Sequence, residues 1–385
     1  MAIMHAEKFK IEPVTNAAEA EMFLDVPLKV YQKDPHWVQP LRSSIAKQLS
    51  PENTFFEYGE CQQFLAVSET SGEPLGRVVA AINKRLIERE KQQIGLLGYF
   101  ECVEDFDVAK GLLDKACEWL SDRHIKIVRG PIDLSTHNNC LFQVDNFDSP
   151  PIVMMPYNPP YYPEFMEKAG WQKAKDACAY DLDLTKPLPD KFEKGYKVAS
   201  KSGINFRKLQ LKGEEFEQDC RSLYQLFTTA FANNWSSTKR TEEEFMEEAK
   251  DLQQLVDPEI FWIAEDEGKA IGFFMALPDY NVALKHVNGK LNLCGIIKFL
   301  WYRRRINEAR VIAICSLPEY RRKMVPLALI YLGMQGGTTK KKPYQRAELS
   351  WVWEDNISSR KVIEATGAKI YKTYRIYEKQ LTINN

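Results

Sequence analysis

The chain has 385 residues, 44% hydrophobic and 27% charged, and its 52 basic and 53 acidic side chains leave a formal net charge of −1. That length suits two domains with a core each, and the near-balanced charge gives no reason to expect DNA or another polyanion as the main partner. No run of eighteen apolar residues marks a membrane span, and MAIMHAEKFKIEPV at the N-terminus lacks the apolar stretch of a signal peptide.

The eight cysteines form no C-x-x-C pair, and most sit in apolar stretches such as KACEWL around Cys117 and IAICSL around Cys315. They read as reduced, buried thiols of a cytoplasmic protein. The five histidines are scattered and never at metal-ligand spacing, so no metal is expected.

In chain order, KFKIEPV (8–14) alternates as a short strand, and Asn16 is placed to cap the next helix with Glu19 as its reciprocal partner. A loop with Pro and Trp (34–40) follows. QFLAVSE (63–69) and PLGRVVAAI (74–82) are predicted as a hairpin around Ser71-Gly72. IGLLGYFEC (94–102) is the continuous apolar run of a buried central strand. Residues 107–123 place Val108, Leu112, Leu113, Ala116, Trp119 and Leu120 on one helical face. IKIVRGPID (125–133) is the next strand, and 162–184 read as a helix, a glycine and a strand.

The order then repeats. Residues 204–211 are predicted as a strand, the stretches around 214–234 and 241–254 as helices, and 261–277 as a hairpin turning at Glu267-Gly268. ARVIAICSL (309–317) is the buried strand, 321–335 the helix after it, QRAELSWVW (345–353) a strand, and 355–381 again a helix, a glycine and a strand. MEKAGWQKAK and IEATGAKIYK close the two halves alike, which points to internal duplication. The expected architecture is two α/β domains with mixed sheets, 1–184 and 204–385, joined by a linker at 185–203 that is rich in Pro, Lys and Gly.

This ordering resembles the GNAT N-acyltransferase superfamily. The most specific local support is PEYRRKMVPLALIY (318–331), where a strand, a turn and a helix start stand in place of that superfamily's pyrophosphate-binding loop. A helix N-terminus presents unpaired N–H groups and a positive dipole end, which suits phosphate. DNISSRKVIEATGA (355–368) resembles the helix near the superfamily's acceptor site. GYFEC (98–102), RGP (129–131), FDSPPIVMMPYNPPYY (147–162) and SWVWEDN (350–356) are similar to segments of a tandem-GNAT group, so the resemblance spans nearly the whole chain.

The resemblance implies acetyl-CoA or another acyl-CoA as co-substrate, a small-molecule or peptide amine as acceptor, and direct attack of a neutral amine on the thioester. The residues it nominates for coenzyme A are Ile314, Ser316, Arg321, Arg322, Lys323, Met324, Val325, Asn356 and Arg360. Asn356 reads equally as a helix cap. Glu354, between Trp353 and Asp355, is the candidate base and Tyr374 the candidate acid. Tyr157, Asn158, Tyr161, Tyr162 and Trp351 are candidate acceptor contacts, although a Pro-stiffened segment of this kind also suits rigid packing. Glu101 is the first half's counterpart to the base.

The departures from the superfamily pattern are specific. Met324 and Pro326 stand where glycines are expected, and Pro326 has no N–H to offer. The tyrosine that serves many relatives as acid aligns with Ile363, and with Met166 in the first half. EDFDVAKGLL (104–113) is acidic where a phosphate would lie. A catalytically degenerate scaffold that binds a metabolite, lipid or protein is therefore the competing expectation. KFLWYRRRINEAR (298–310) reads as a basic, aromatic insertion suited to an acyl chain, a membrane surface, RNA or plain solvent.

Overall fold

The computed structural model describes residues 8–231 and 234–382. Its first half runs β1 (Phe9–Pro13), α1 (Ala17–Val30), α2 (Arg42–Leu49), α3 (Phe55–Tyr58), β2 (Gly59–Ser68), β3 (Pro74–Asn83), α4 (Lys84–Glu90), β4 (Ile94–Cys102), α5 (Phe106–Ser121), β5 (Ile127–Gly130), β6 (Phe142–Gln143), α6 (Tyr161–Lys168) and β7 (Gln172–Asp183). The second runs α7 (Lys191–Lys201), β8 (Asn205–Lys208), α8 (Gly213–Ala230), α9 (Glu242–Leu252), β9 (Phe261–Asp266), β10 (Lys269–Pro278), α10 (Asn281–Leu284), α11 (Leu293–Tyr302), β11 (Glu308–Ser316), α12 (Val325–Thr338), β12 (Arg346–Trp353), α13 (Ile357–Glu364) and β13 (Lys369–Gln380).

Local chemistry explains most of these boundaries. Asn16 and Glu19 form a complete capping box at the start of α1, and Thr241 and Glu244 form another at α9. Glu267 and Gly268, at φ 49° and 76°, both take the left-handed backbone of a two-residue hairpin turn. The strand expected over 125–133 ends at Gly130, because Pro131 cannot donate to a ladder. The helix expected from residue 321 starts only at Val325, since Pro318–Tyr320 form a 3-10 turn and Met324 sits at φ 62° and ψ 17°. Within 185–203, read from sequence as a linker, Lys191–Lys201 form α7. Its sparse apolar residues share one face, with Phe192 and Ala199 buried, and Gly195 lets α12 approach so closely that a Cβ there would lie 2.8 Å from Leu327 Cβ.

Both halves build the same ladder. β1 to β4 pair antiparallel in sequence and β4 pairs β5 in parallel; β8 to β11 pair antiparallel and β11 pairs β12 in parallel. The last strand of each half then crosses to the other. β13 lies between β5 and β7, and β7 lies between β13 and β12, giving one continuous sheet in the order β1-β2-β3-β4-β5-β13-β7-β12-β11-β10-β9-β8. Helices α5 and α6 cover one face in the first half and α7 and α12 cover it in the second. On the opposite face a single core runs through both halves, joining Leu65 and Val79 to Leu277, Tyr280, Trp353 and Tyr374.

Candidate active site

β11 and β12 pair only from Glu308↔Arg346 to Val311↔Leu349. Beyond that point β11 stays bonded to β10 as far as Ser316, and β12 stays bonded to β7 as far as Trp353. The two parallel neighbours therefore part inside the sheet, and residues 312–316 face 350–353 across the opening. Ile314 and Ser316 lie on this free stretch of β11 and Trp351 on the free stretch of β12. The β11 edge leads through the 3-10 turn to the start of α12, which no side chain caps. Val325 is its first residue and Pro326 its second. Arg321 and Arg322 are exposed there and form no ion pair among the described residues, whereas Lys323 reaches Asp266 at 3.3 Å. Cations beside an uncapped helix start oppose the dipole until an anion joins them.

The corresponding place in the first half is closed. β4 and β5 pair over Ile94–Leu96 and Ile127–Arg129, after which Ile132 N–H donates to Leu97 O at 2.7 Å and Tyr99 N–H to the Asp133 carboxylate at 2.6 Å. The start of α5 is already occupied, since Asp105 accepts from the N–H groups of Asp107 and Val108. Glu101, half-buried near the buried Arg77 and Asp133, accepts from Tyr162 Oη at 2.8 Å. Burial pushes the Glu101 carboxyl up, against the pull of Arg77, and pushes Asp133 up to about 7.

At the mouth of the second-half opening the buried Arg310 guanidinium bridges three segments. It donates to Ser350 Oγ at 3.0 Å and Ser350 O at 3.2 Å, and to the carbonyls of Val153 and Met154 at 3.1 and 2.8 Å. Val153 N–H in turn donates to Asp279 at 2.8 Å, and Asn281 Nδ2 to Pro151 O at 2.9 Å, so the 149–155 segment is pinned over the sheet. Glu348, fully buried and paired with Arg310 in the ladder, accepts from Tyr371 Oη through one oxygen. Its other oxygen, Oε1, has no partner. Tyr374 Oη is likewise buried and unpartnered. Burial, with the Glu348 charge next, holds its phenol far above the usual range. Lys372 donates to the carbonyls of Ser149 and Pro150 at 3.2 and 3.1 Å, and burial lowers its ammonium to about 8. Buried polar atoms are nearly always paired, and Glu348 Oε1 and Tyr374 Oη are among the few buried side-chain atoms that have no protein partner among the described residues.

The other residues nominated from sequence are distributed as follows. Glu354 has both oxygens engaged, by Lys173 Nζ at 2.8 Å and Asp176 N–H at 3.1 Å. Asn356 caps α13 by accepting from Ser359 N–H at 3.2 Å. Arg360 ties α13 to its neighbours, donating to Tyr180 Oη at 2.9 Å and Glu354 O at 2.8 Å. Trp351 meets Trp353 at 4.5 Å with the rings tilted by 56°, and Trp353 meets Trp235 edge-on at 5.5 Å. Tyr157 donates to Asp34 at 2.8 Å, and Asn158 is buried with its amide spent on Gln143 and Pro159. Tyr161 and Tyr162 close around the end of β4 through Cys102. Asn158, Tyr161 and Tyr162 thus brace the first half, apart from the parted strands. Arg310, Glu348, Tyr371 and Lys372 escaped the sequence reading. Their signal was an ionisable residue inside an otherwise apolar strand, as in ARVIAICSL and RAELSWVW.

No family model matches the chain. It is similar to solved structures with the same tandem architecture. The tandem GNAT protein from the clavulanic acid biosynthesis pathway superposes with a TM-score of 0.58 at 11% identity, covering 98% of this chain and 100% of that one. A GCN5-related N-acetyltransferase from Sphaerobacter thermophilus gives 0.53 at 14% identity over 97% and 95%. In sequence, protein YghO of Escherichia coli K12 is 27% identical over 375 residues, 95% of this chain and 94% of the relative. The bacterial ceramide synthase of Caulobacter vibrioides is 31% identical over 377 residues, 96% of this chain and 97% of the relative. With parted parallel strands in a duplicated ladder the chain has the tandem GNAT fold, and with 31% identity over nearly its full length it belongs to the family of the bacterial ceramide synthase.

Proposed function

We propose that the protein transfers an acyl group from an acyl-CoA to an amine, with coenzyme A held by the second half alone. The observation that carries this reading is the contrast between the two helix starts: α12 is uncapped and flanked by Arg321 and Arg322, while α5 is blocked by Asp105. Phosphates would meet Arg321, Arg322 and the first N–H groups of α12, with Pro326 contributing none. The acyl-pantetheine arm would lie between residues 312–316 and 350–353, where unpaired backbone can bond it as a strand would.

In the transfer a neutral amine attacks the thioester carbonyl, a C–N bond forms, and the C–S bond breaks. The ammonium proton needs an acceptor and the thiolate needs a donor. Glu348, with one oxygen free, is the better-placed base, because Glu354 is committed to Lys173 and Asp176. Tyr374 carries a hydroxyl proton and its oxygen has no other partner, which favours it as the donor. Lys372 and Arg310 keep the buried Glu348 carboxylate in positive company.

The relative named for ceramide synthesis bears on the substrates. A ceramide is an amide of a long-chain amino alcohol, and that kinship favours a long acyl chain and a long-chain amine over acetyl transfer to a small polar amine. The test is thiol release from acyl-CoAs of increasing chain length, with and without a long-chain 2-amino-1,3-diol. Amine-dependent thiol release together with amide formation supports the reading. Absence of amine-dependent release with every thioester contradicts it and leaves a binding scaffold.

A further inference from the structure

α11 is an amphipathic helix turned inside out. Leu293, Ile296, Ile297, Leu300 and Trp301 follow the i, i+3, i+4, i+7, i+8 spacing of one helical face, and all five are exposed, Leu293 at 75% and Ile297 and Trp301 at 60%. The opposite face is seated: Gly295 is buried, Phe299 stacks on Tyr280 at 5.7 Å, and Tyr302 stacks on His286 at 3.5 Å. With Leu291, this segment supplies six of the twelve large hydrophobic side chains exposed among the described residues. Such an aliphatic face left in water is costly, and large exposed patches mark interaction sites.

The charge around the face is one-sided. Residues 280–307 contain Lys285, Lys290, Lys298, Arg303, Arg304 and Arg305 and no Asp or Glu, in a chain whose total charge is −1. Arg304 and Arg305 lie over the rings of Trp301 and Tyr302 at 5.7 and 5.0 Å and form no ion pair among the described residues. The first half shows what the ladder needs here: its β3 to β4 connection is the short α4, whereas β10 to β11 carries the whole α10–α11 insertion. The fold does not require it.

We infer that α11 is a membrane-docking element that lies in the interface of an anionic bilayer, its aliphatic face among the acyl chains and its arginines among the headgroup phosphates. No helix in the described residues is long and apolar enough to cross a membrane, so the helix lies on the surface. A second copy of the chain fits the face poorly, because self-association would bring two such cationic clusters together. Nucleic acid fits the arginines but leaves the aliphatic side chains in water. Docking would also place the adjoining 149–155 segment, with its exposed Met154, toward the lipid. The inference holds whether or not the protein is an acyltransferase.

The experiment is flotation of the full-length protein with vesicles of phosphatidylcholine alone and of phosphatidylcholine with phosphatidylglycerol. Two variants accompany it, Leu293→Ser/Ile297→Ser/Leu300→Ser and Arg303→Glu/Arg304→Glu/Arg305→Glu, each checked for an unchanged thermal transition. Expected is binding to the anionic vesicles that weakens with salt, falls at least tenfold in the serine variant, and falls on the order of a hundredfold in the charge-reversed one. Brominated lipid should quench the wild type more than Trp301→Phe. Absence of flotation, flotation that both variants retain, or variants that instead lose self-association or RNA binding would overturn the inference.

Discussion

In the proposed function single side chains near the parted strands would carry the chemistry, and at this scale two residues give separable tests. Tyr374 Oη is buried without a partner, so removing it takes away an unsatisfied group. Tyr374→Phe is expected to change unfolding free energy by no more than ~1 kcal/mol while lowering acyl transfer by roughly 10²–10⁴-fold; calorimetry and turnover on the same preparation read both. A large stability loss with unchanged turnover would make Tyr374 a core residue and nothing else. Asp279 holds Val153 N–H, and burial pushes its carboxyl from 3.8 up to about 7. The folded state therefore retains a proton that the unfolded state releases above pH 4. Relative to Asp279→Asn, the wild type should be most stable below pH 4 and lose that margin progressively up to about pH 7. Urea unfolding of both proteins across that range checks it, and a pH-independent difference would contradict it. At this scale the sequence was only partly readable. The cap at Asn356 follows from residue type and position, but Glu348, Lys372 and Arg310 come into one region only when β13, β7, β12 and β11 are laid out in one sheet.

The elements with the sharpest contrast are the two helices that follow the parallel pairs. Met324 takes a left-handed backbone that glycine adopts freely and other residues rarely do. The glycine missing from the sequence is thus still demanded by the geometry. Met324→Gly is expected to raise stability by up to ~1 kcal/mol and to preserve coenzyme A binding. Asp105→Ala should cost about 1 kcal/mol by uncapping α5, without changing that binding. Thermal unfolding with and without coenzyme A measures both pairs of effects. A destabilised Met324→Gly would contradict the strain argument. α12 itself was legible through its apolar run, but its late start was not, because it depends on the 3-10 turn and on Met324. α7 was hidden for a related reason: three small or apolar residues on one face carry little signal until α12 is packed against them.

At the scale of the whole molecule the exchanged strands bind the halves into one unit. β13 supplies the neighbour of β5, and β7 supplies the neighbour of β12, so each half alone lacks a central strand of its sheet. Unfolding followed by circular dichroism and by fluorescence should show one coincident transition. Residues 1–184 and 185–385 should each be unfolded or aggregated alone and should recover soluble, folded protein when expressed together. Two separate transitions, or a folded isolated half, would contradict this. The duplicated order of elements was legible in the sequence because periodicity and turn residues are local. The exchange was not, since both terminal strands carry the same local pattern and nothing local marks which half each one joins.

The central claim is that the second half alone holds coenzyme A at the start of α12. Its most direct test is calorimetric titration of a long-chain acyl-CoA into the wild type, Arg321→Ala/Arg322→Ala and Asp105→Ala. The account predicts one site per chain, affinity weakened roughly ten- to hundredfold in the double-arginine variant, and no change in Asp105→Ala. No saturable binding, or binding that ignores the arginines, would contradict it.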